Sequence, residues 1–174
     1  MEQIISEQEK ATKALKDKVA NALKSFENKG LTVIEKNGKI YVSLEDKLLF
    51  SSGSTEVDQN GQKALQQLAA VLANNPEIAI MIEGHTDNVP IATDCIDDNW
   101  DLSVKRATSI VRLMQTKFGV EPERMTAGGR SEYIPKKTNK TSEGRTINRR
   151  TEIIILPELD QLFKLLEPPT TVLN

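Results

Sequence analysis

The spacing of hydrophobic residues predicts a helix at the start of the chain. No Gly or Pro occurs from Ile4 to about Asn28, and apolar residues recur there at mostly three- and four-residue steps, which is the period of an amphipathic helix. The apolar stripe is thin and rich in alanine; it consists of Ile4, Ala11, Leu15, Val19, Ala22 and Phe26. Residues 1–29 are therefore interpreted as an N-terminal helical unit, either a coiled-coil stub or a helix packed on its own domain.

Extended patterns begin after Gly30. Two β-rich runs, at about residues 31–36 and 39–44, flank Asn37-Gly38, the strongest short-range signal for a tight hairpin turn. Further strands are predicted in "EIAIMIEG", which ends at Gly84, and in "TEIIIL". The segment "RMTAGG" predicts a short strand or an edge segment.

Helical patterns separate these strands. A run from Ala64 to Leu72 predicts a helix that ends near Asn74-Asn75-Pro76, because proline disfavours helical geometry in the residue before it. Apolar positions between Ala107 and Phe118 predict another helix, and "PELDQLFKLLE" a short closing one. The predicted fold class is an α/β (α+β) sandwich over residues 30–167, a mixed β-sheet packed by helices and preceded by the N-terminal helix, with a frayed tail at 168–174.

Composition excludes several classes of protein. The chain has 174 residues, 38% hydrophobic and 28% charged, with a formal net charge of −2; this fits a soluble globular chain and gives no reason to expect nucleic acid as a partner. No run of eighteen apolar residues and no secretory signal pattern occurs. Membrane attachment is therefore expected only through a segment or lipid absent from this chain. A single cysteine, Cys95, excludes an internal disulfide.

The acid-rich stretch "IEGHTDNVPIATDCIDDNWDLSVKRA" follows the strand that ends at Gly84. His85, Asp87 and the later acids raise the question of a metal site, but there is one histidine, and the acids lack the spacing of a calcium loop. No metal is expected. The later acids, Asp94, Asp97 and Asp98, are interpreted as a solvated loop.

Arg106 lies in the first or second turn of its predicted helix, whether Asn99 or Ser103 is the N-cap. A cation there opposes the helix dipole, so an anion should lie close by. Asp87 is the nearest candidate if the strand end and the helix start converge. The pair is either a structural salt bridge or a binding site for a zwitterion, with the ligand carboxylate on Arg106 and its ammonium on Asp87.

Catalytic interpretations are weaker. Ser51, Ser52 and Ser54 lack a G-x-S-x-G context, and acids around Cys95 disfavour a thiolate. The segment from Gly129 to Arg150 carries seven basic residues against two acids but only one aromatic residue, so it is interpreted as mostly solvated and not as a nucleic-acid surface. Binding without catalysis and without a cofactor is the simpler interpretation.

Several ordered segments resemble the OmpA C-terminal-like family of peptidoglycan-binding domains over about residues 39–156. They are "LLFSSGS", "EGHTD", "NWDLSVKRA", "GVEPERMTAGG", "NKTSEGR" and "NRRTEI", and "GHTDNVPI" with a longer insert before "NWDLS" is most similar to the MotB branch. The resemblance implies that the aspartate and arginine at positions Asp87 and Arg106 hold the diaminopimelate of the peptide stem. It places Thr86 and Asn99 beside that site and Arg149 on its opposite side. Ser51 departs from the family, many members of which have an aspartate there.

The resemblance also implies partners and a location. Peptidoglycan is the expected ligand, and the periplasm of a Gram-negative bacterium, at the outer or inner membrane, is the expected location. Two functions remain open: a wall-binding anchor, and a periplasmic or stator-type adaptor whose main partner is another protein. The residues themselves predict a homodimer through the N-terminal helix, because a helix with such a thin apolar stripe is only marginally stable on its own in water.

Overall fold

The computed structural model describes residues 2–156. In chain order the elements are α1 (Glu2–Ala22), a 3₁₀ turn (Lys24–Lys29), β1 (Leu31–Lys36), β2 (Lys39–Glu45), α2 (Asp46–Leu49), α3 (Gln59–Ala73), β3 (Ala79–His85), α4 (Asn99–Thr116), a second 3₁₀ turn (Pro122–Arg124), β4 (Met125–Gly129), α5 (Ser142–Asn148) and β5 (Arg150–Leu156). The closing helix and the tail predicted after residue 156 lie outside the described residues.

The five strands form one mixed sheet in the order β1-β2-β5-β3-β4. The pairs β1–β2, β2–β5 and β5–β3 are antiparallel, whereas β3–β4 is parallel. The predicted mixed sheet is confirmed, and "RMTAGG" contributes its parallel edge strand. Asn37 and Gly38 have φ angles of 53° and 74°, as a two-residue hairpin turn with both central residues at positive φ requires.

One face of the sheet is apolar and forms the core. Alternate residues of β2, β3 and β5 are buried there: Ile40, Val42, Leu44, Ile80, Ile82, Ile153 and Ile155. They share a single hydrophobic cluster with apolar side chains of α1, α3 and α4. Burying a side chain of this size stabilises the fold by about 1.5–3 kcal/mol. The three longer helices thus cover the apolar face and hold the strand ends in fixed positions.

The first helix packs on its own domain. Leu15, Val19 and the following Leu23 are buried, and α1 contacts α3, β1 and β2. Of the two arrangements that the sequence leaves open, the structure therefore shows the packed helix, and the edge predicted to pair two copies is already covered. The helix ends at Ala22 and a 3₁₀ turn follows, so the prediction of one continuous helix to Asn28 is wrong at its C-terminal end.

Two glycines let α4 approach the ends of β3 and β4 closely. A Cβ added to Gly84 would lie 2.1 Å from the carbonyl oxygen of Ser103, and one added to Gly129 would lie 2.4 Å from the Ser103 Oγ. No other residue fits at such a distance from a helix backbone. This contact places the first turns of α4 beside the loop that follows β3.

Candidate ligand-binding site

A cavity of about 720 Å³ opens where β2 and β3 end and β5 begins. It is lined by residues of α2, of the loop after β3, of α4 and of the α5–β5 junction. All five residues that the sequence predicted for a site line this cavity: Thr86, Asp87, Asn99, Arg106 and Arg149. The structure therefore brings them together, and their role in binding stays a prediction.

Asp87 is held at the strand end by two interactions. Its Oδ1 accepts a hydrogen bond from the Val89 backbone N–H at 3.0 Å, and its Oδ2 lies 2.6 Å from the Arg149 Nη1. The Asp87 side chain is buried, whereas the Arg149 side chain is 37% exposed. A direct salt bridge of Asp87 with Arg106, one of the two alternatives that the sequence left open, is therefore wrong, since the ion-pair partner of Asp87 is Arg149; the other alternative, a zwitterion site, stays a prediction.

Arg106 pairs with Asp46 instead, through Nη1 and Oδ2. Its Nε donates to the Ser54 carbonyl oxygen at 3.2 Å, and its Cζ lies 4.9 Å from the centre of the Phe50 ring, within the range of a cation–π contact. Asp98 is the N-cap of α4, so Arg106 is the eighth residue of the helix. The argument from the helix dipole does not apply there; burial of the guanidinium is what requires an anion.

Asp46 was not among the predicted site residues. It begins α2 directly after β2 and is 7% exposed. Burial raises its pKa to about 6, although the neighbouring Arg106 and Arg149 lower it, and its Oδ1 has no hydrogen-bond partner among the described residues. The available signal was weak, since Asp46 lies in a short charged run, Glu45-Asp46-Lys47, between the apolar Leu44 and Leu48 in "SLEDKLLF".

Asn99 and Thr86 shape the loop that carries Asp87. The Nδ2 of Asn99 lies 3.3 Å from the Asp87 carbonyl oxygen, 3.1 Å from that of Val89 and 3.3 Å from the Glu132 Oε2. The Thr86 Oγ1 donates to the Asp87 carbonyl oxygen at 2.8 Å. These bonds satisfy backbone acceptors of the loop and so hold the backbone that carries Asp87.

Ser51 lies on the cavity wall, where the family resemblance led us to expect an aspartate. Its side chain is exposed, and its Oγ donates to the carboxylate of Asp58 at 3.3 and 3.4 Å. An acid is therefore present in contact with the serine. Asp58 precedes α3 and also lines the cavity.

The basic segment from Gly129 to Arg150 keeps four of its seven basic side chains exposed, Arg130, Lys136, Lys137 and Lys140, as the sequence predicted, but it is also tied to the rest of the chain. Five of its seven basic side chains make ion pairs or hydrogen bonds within the chain: Arg130, Lys136, Arg145, Arg149 and Arg150. The buried Asn148 also bonds the segment to itself, accepting from the backbone N–H groups of Lys136 and Lys137 and donating to the Lys137 carbonyl oxygen. It fixes the backbone immediately before Arg149.

A second polar cluster lies in the same sheet, outside this cavity. Ligand atoms of Glu83, His85 and Glu152 lie within 4.8 Å of one another and are buried. The His85 hydrogen bond, at 2.9 Å, lowers the pKa of Glu83. Burial raises the pKa of Glu152, but hydrogen bonds from Arg150 and Lys136 outweigh it and lower that pKa overall.

The cluster is neutralised by cations of the chain itself. Arg130 lies 3.0 Å from Glu83, and Lys136 and Arg150 lie 2.9 and 2.8 Å from Glu152. Three cations thus face two carboxylates, which disfavours an added metal ion. His85 contacts this cluster and not Asp87, so the two residues weighed together for a metal site lie in different environments.

Comparison with known proteins shows the family of the chain. Residues 49–149 match the OmpA family, and the chain belongs to that family. Motility protein B of Bacillus subtilis is 36% identical over 118 residues, which are 68% of this chain and 45% of that protein. The chain spans about half the length of the first curated relatives it matches.

Two solved structures show the same fold. A MotB like protein from Desulfovibrio vulgaris superposes with a TM-score of 0.76 and 26% identity, over 87% of this chain and 99% of that one. The cell wall anchor of the T6SS from Pseudomonas aeruginosa superposes with a TM-score of 0.73 and 33% identity, over 80% of this chain and 97% of that one. The mixed sheet packed by helices is thus the architecture of MotB-like domains.

Proposed function

We propose that this domain anchors its protein to the cell wall by binding peptidoglycan without catalysis, through the diaminopimelate of the peptide stem. The proposal rests on two ion pairs, Asp46–Arg106 and Asp87–Arg149, whose side chains line the same cavity. The membership of the OmpA family and the similarity to a T6SS cell wall anchor support it. No cofactor takes part.

The four charged groups suit a ligand that carries both signs of charge. In the proposed complex the ligand ammonium binds the Asp87 carboxylate, and its carboxylate binds Arg106 and Arg149. Arg149 is the partner that can move, because its side chain is 37% exposed while that of Asp87 is buried. A zwitterion replaces each broken contact with one of the same kind, so no buried charge is left unpaired.

Asp87→Asn and Arg149→Gln test this site by sedimentation with purified peptidoglycan. Each is expected to weaken binding by at least about tenfold, since a charge pair with a buried partner is broken. The Asp87→Asn variant keeps a side-chain oxygen as acceptor for the Val89 N–H, so the fold should survive, as circular dichroism would show. The matched controls are Asp94→Asn and Lys140→Gln, which change exposed charges nearby in the sequence. Wild-type sedimentation of Asp87→Asn with an unchanged melting temperature would show that the site is elsewhere.

The second candidate function is an adaptor whose main partner is another protein, as in a stator. It is kept because the similarity to Motility protein B covers less than half of that protein. The same sedimentation assay separates the two functions. An anchor sediments with pure peptidoglycan, whereas an adaptor stays in the supernatant until its protein partner is added.

Self-association as a homodimer stays a prediction. The edge first assigned to it, with Leu15 and Val19, is buried within the chain. Pairing would have to use the remaining faces of α1, which carry mostly exposed polar side chains and the exposed Ile5. Two sites on one dimer would increase retention on a polymeric wall through avidity.

The proposed location is the cell envelope, on the side that faces peptidoglycan. The relatives support the envelope, since they include an outer membrane porin of Pseudomonas aeruginosa and a lipoprotein of Escherichia coli; the periplasm of a Gram-negative bacterium is the finer proposal. In the described part of the chain no helix combines the length and apolar character needed to span a bilayer. Membrane attachment through another segment or a lipid is part of the proposal.

A further inference from the structure

Two exposed aromatic residues form a ledge beside the ion-pair cavity. Trp100, in the first turn of α4, is 48% exposed, and Tyr133, in the segment after β4, is 65% exposed. Their ring centroids are 5.5 Å apart and the ring planes are tilted by 35°. Large apolar side chains are stabilised by burial, so a paired Trp and Tyr left in water mark a binding surface.

The ledge borders a groove of about 550 Å³ next to the ion-pair cavity. Pro90, Ile91 and Asn99 line both spaces. The Asn99 side chain lies at the junction, contacting the Asp87 carbonyl oxygen on one side and the Glu132 carboxylate on the other. The two spaces are therefore neighbours that share part of their walls, close enough for parts of one extended ligand to occupy both.

The groove has the composition of a sugar-binding surface. A pyranose ring presents a face of C–H groups, which packs on an aromatic ring, and a rim of hydroxyls, which donate to carboxylates. The ledge supplies the rings, and Asp97, Asp98 and Glu132 supply acceptors around it. We propose that this groove binds the glycan strand of peptidoglycan while the cavity binds the peptide stem, an inference that rests on the function proposed above.

A cationic peptide is the competing ligand for acids beside aromatic rings. The ledge geometry favours a sugar. Two rings tilted by 35° present a shallow surface that matches one flat ring face, whereas a cation cage needs rings that enclose the charge on several sides. In peptidoglycan the stem is also joined covalently to the glycan, so a stem held in the adjoining cavity brings a sugar to the groove.

Trp100 is the single tryptophan of the chain, so its fluorescence reports directly on the ledge. Chitotetraose, a peptide-free oligosaccharide of N-acetylglucosamine, is the probe for the full chain. We expect a saturable change in Trp100 emission that Tyr133→Ala weakens and that Asp87→Asn leaves intact. On intact peptidoglycan, Trp100→Ala should bind about tenfold more weakly yet keep wild-type affinity for the free stem peptide. Ile34→Ala, which removes an exposed apolar side chain from β1, is the matched control.

The outcomes separate the two proposals. If chitotetraose leaves the emission unchanged and Trp100→Ala binds peptidoglycan like the wild type, the glycan subsite is refuted while the stem site stands. If Trp100→Ala loses the free stem peptide equally, the ledge is part of the cavity and the subsite is again refuted. A change of emission with a lysine-rich peptide but not with the sugar overturns the proposal in favour of a protein partner. Failure of the stem site appears separately, as normal binding by Asp87→Asn.

Discussion

Replacement of Asp46 by asparagine should change how the stability of the domain depends on pH. Burial raises the pKa of this carboxyl from an ordinary 3.8 to about 6 in the folded chain. Between these values the folded state binds a proton that the unfolded state does not, so protonation stabilises the fold. The contribution is complete below pH 3.8 and is lost as the pH rises through about 6.

The size of the effect follows from the two pKa values. One pKa unit corresponds to about 1.4 kcal/mol, so the whole difference amounts to about 3 kcal/mol. At pH 4 the Asp46 carboxyl of the unfolded chain is itself partly protonated, so about 2 kcal/mol of this stabilisation of the folded state remains. The wild type should therefore gain about 2 kcal/mol over Asp46→Asn when the pH falls from 7 to 4.

Urea denaturation of both proteins at pH 7, 6, 5 and 4 measures this difference. The difference in the free energy of unfolding between the two proteins cancels the contribution of titrating groups that they share. The control Asp94→Asn changes an exposed acid, so its difference from the wild type should not change with pH. A flat difference for Asp46→Asn would refute the reasoning, because it would mean that pairing with Arg106 cancels the effect of burial and leaves the pKa of the carboxyl at its ordinary value. A wild type that loses stability relative to the variant toward pH 4 would refute it also.

Three further predictions concern packing, assembly and metal content. Gly84→Ala should destabilise the fold by about 1–3 kcal/mol or more, because the new methyl group meets the Ser103 backbone; Gly128→Ala, which meets only the flexible end of Met81, is the control for the same denaturation assay. Because the Leu15 and Val19 edge is buried within the chain, a dimer must form through the exposed faces of α1; light scattering that gives twice the 19.4 kDa mass of the chain would support it, and a monomer mass at every concentration contradicts self-association. Elemental analysis of protein purified without chelator should find no stoichiometric zinc or calcium, and a full equivalent of either would reopen the Glu83, His85 and Glu152 cluster as a metal site.

The periodic parts of the fold were predictable from the sequence. The hairpin at Asn37-Gly38, the buried strands and the two central helices follow from local turn chemistry and from periods of 2 and 3.6 residues. The packing of α1 was not predictable from the sequence. A thin apolar stripe that contains Leu15 and Val19 can pack on a helix of a second copy as well as on the sheet of its own chain. Which surface covers such a stripe is decided by tertiary contacts.

Most residues of the site were predicted from the sequence, but the ion pairs that they form were not. Motif residues identified Asp87, Arg106 and Arg149, whereas the partner of Arg106, Asp46, lies 60 positions away and belongs to no motif considered. Ion pairs over such distances depend on strand order, which the sequence pattern left open. The contacts also alter the choice of variants: alanine at Asp87 removes both the charge and the acceptor of the Val89 N–H, whereas asparagine removes the charge and keeps an acceptor, so the neutral isostere is the better test.

The position of the site within the sheet determines how the domain would carry mechanical load. His85 and Arg150 are register partners on β3 and β5, and Asp87 and Arg149 lie two residues and one residue beyond them. Tension on a bound wall fragment would enter at one end of these adjacent strands, in the interior of the sheet. Neither edge strand, β1 or β4, contributes a residue to the ion pairs. At the proposed ligand end the load would therefore act on the middle of the sheet, where β5 is hydrogen-bonded on both sides, and not on an edge strand.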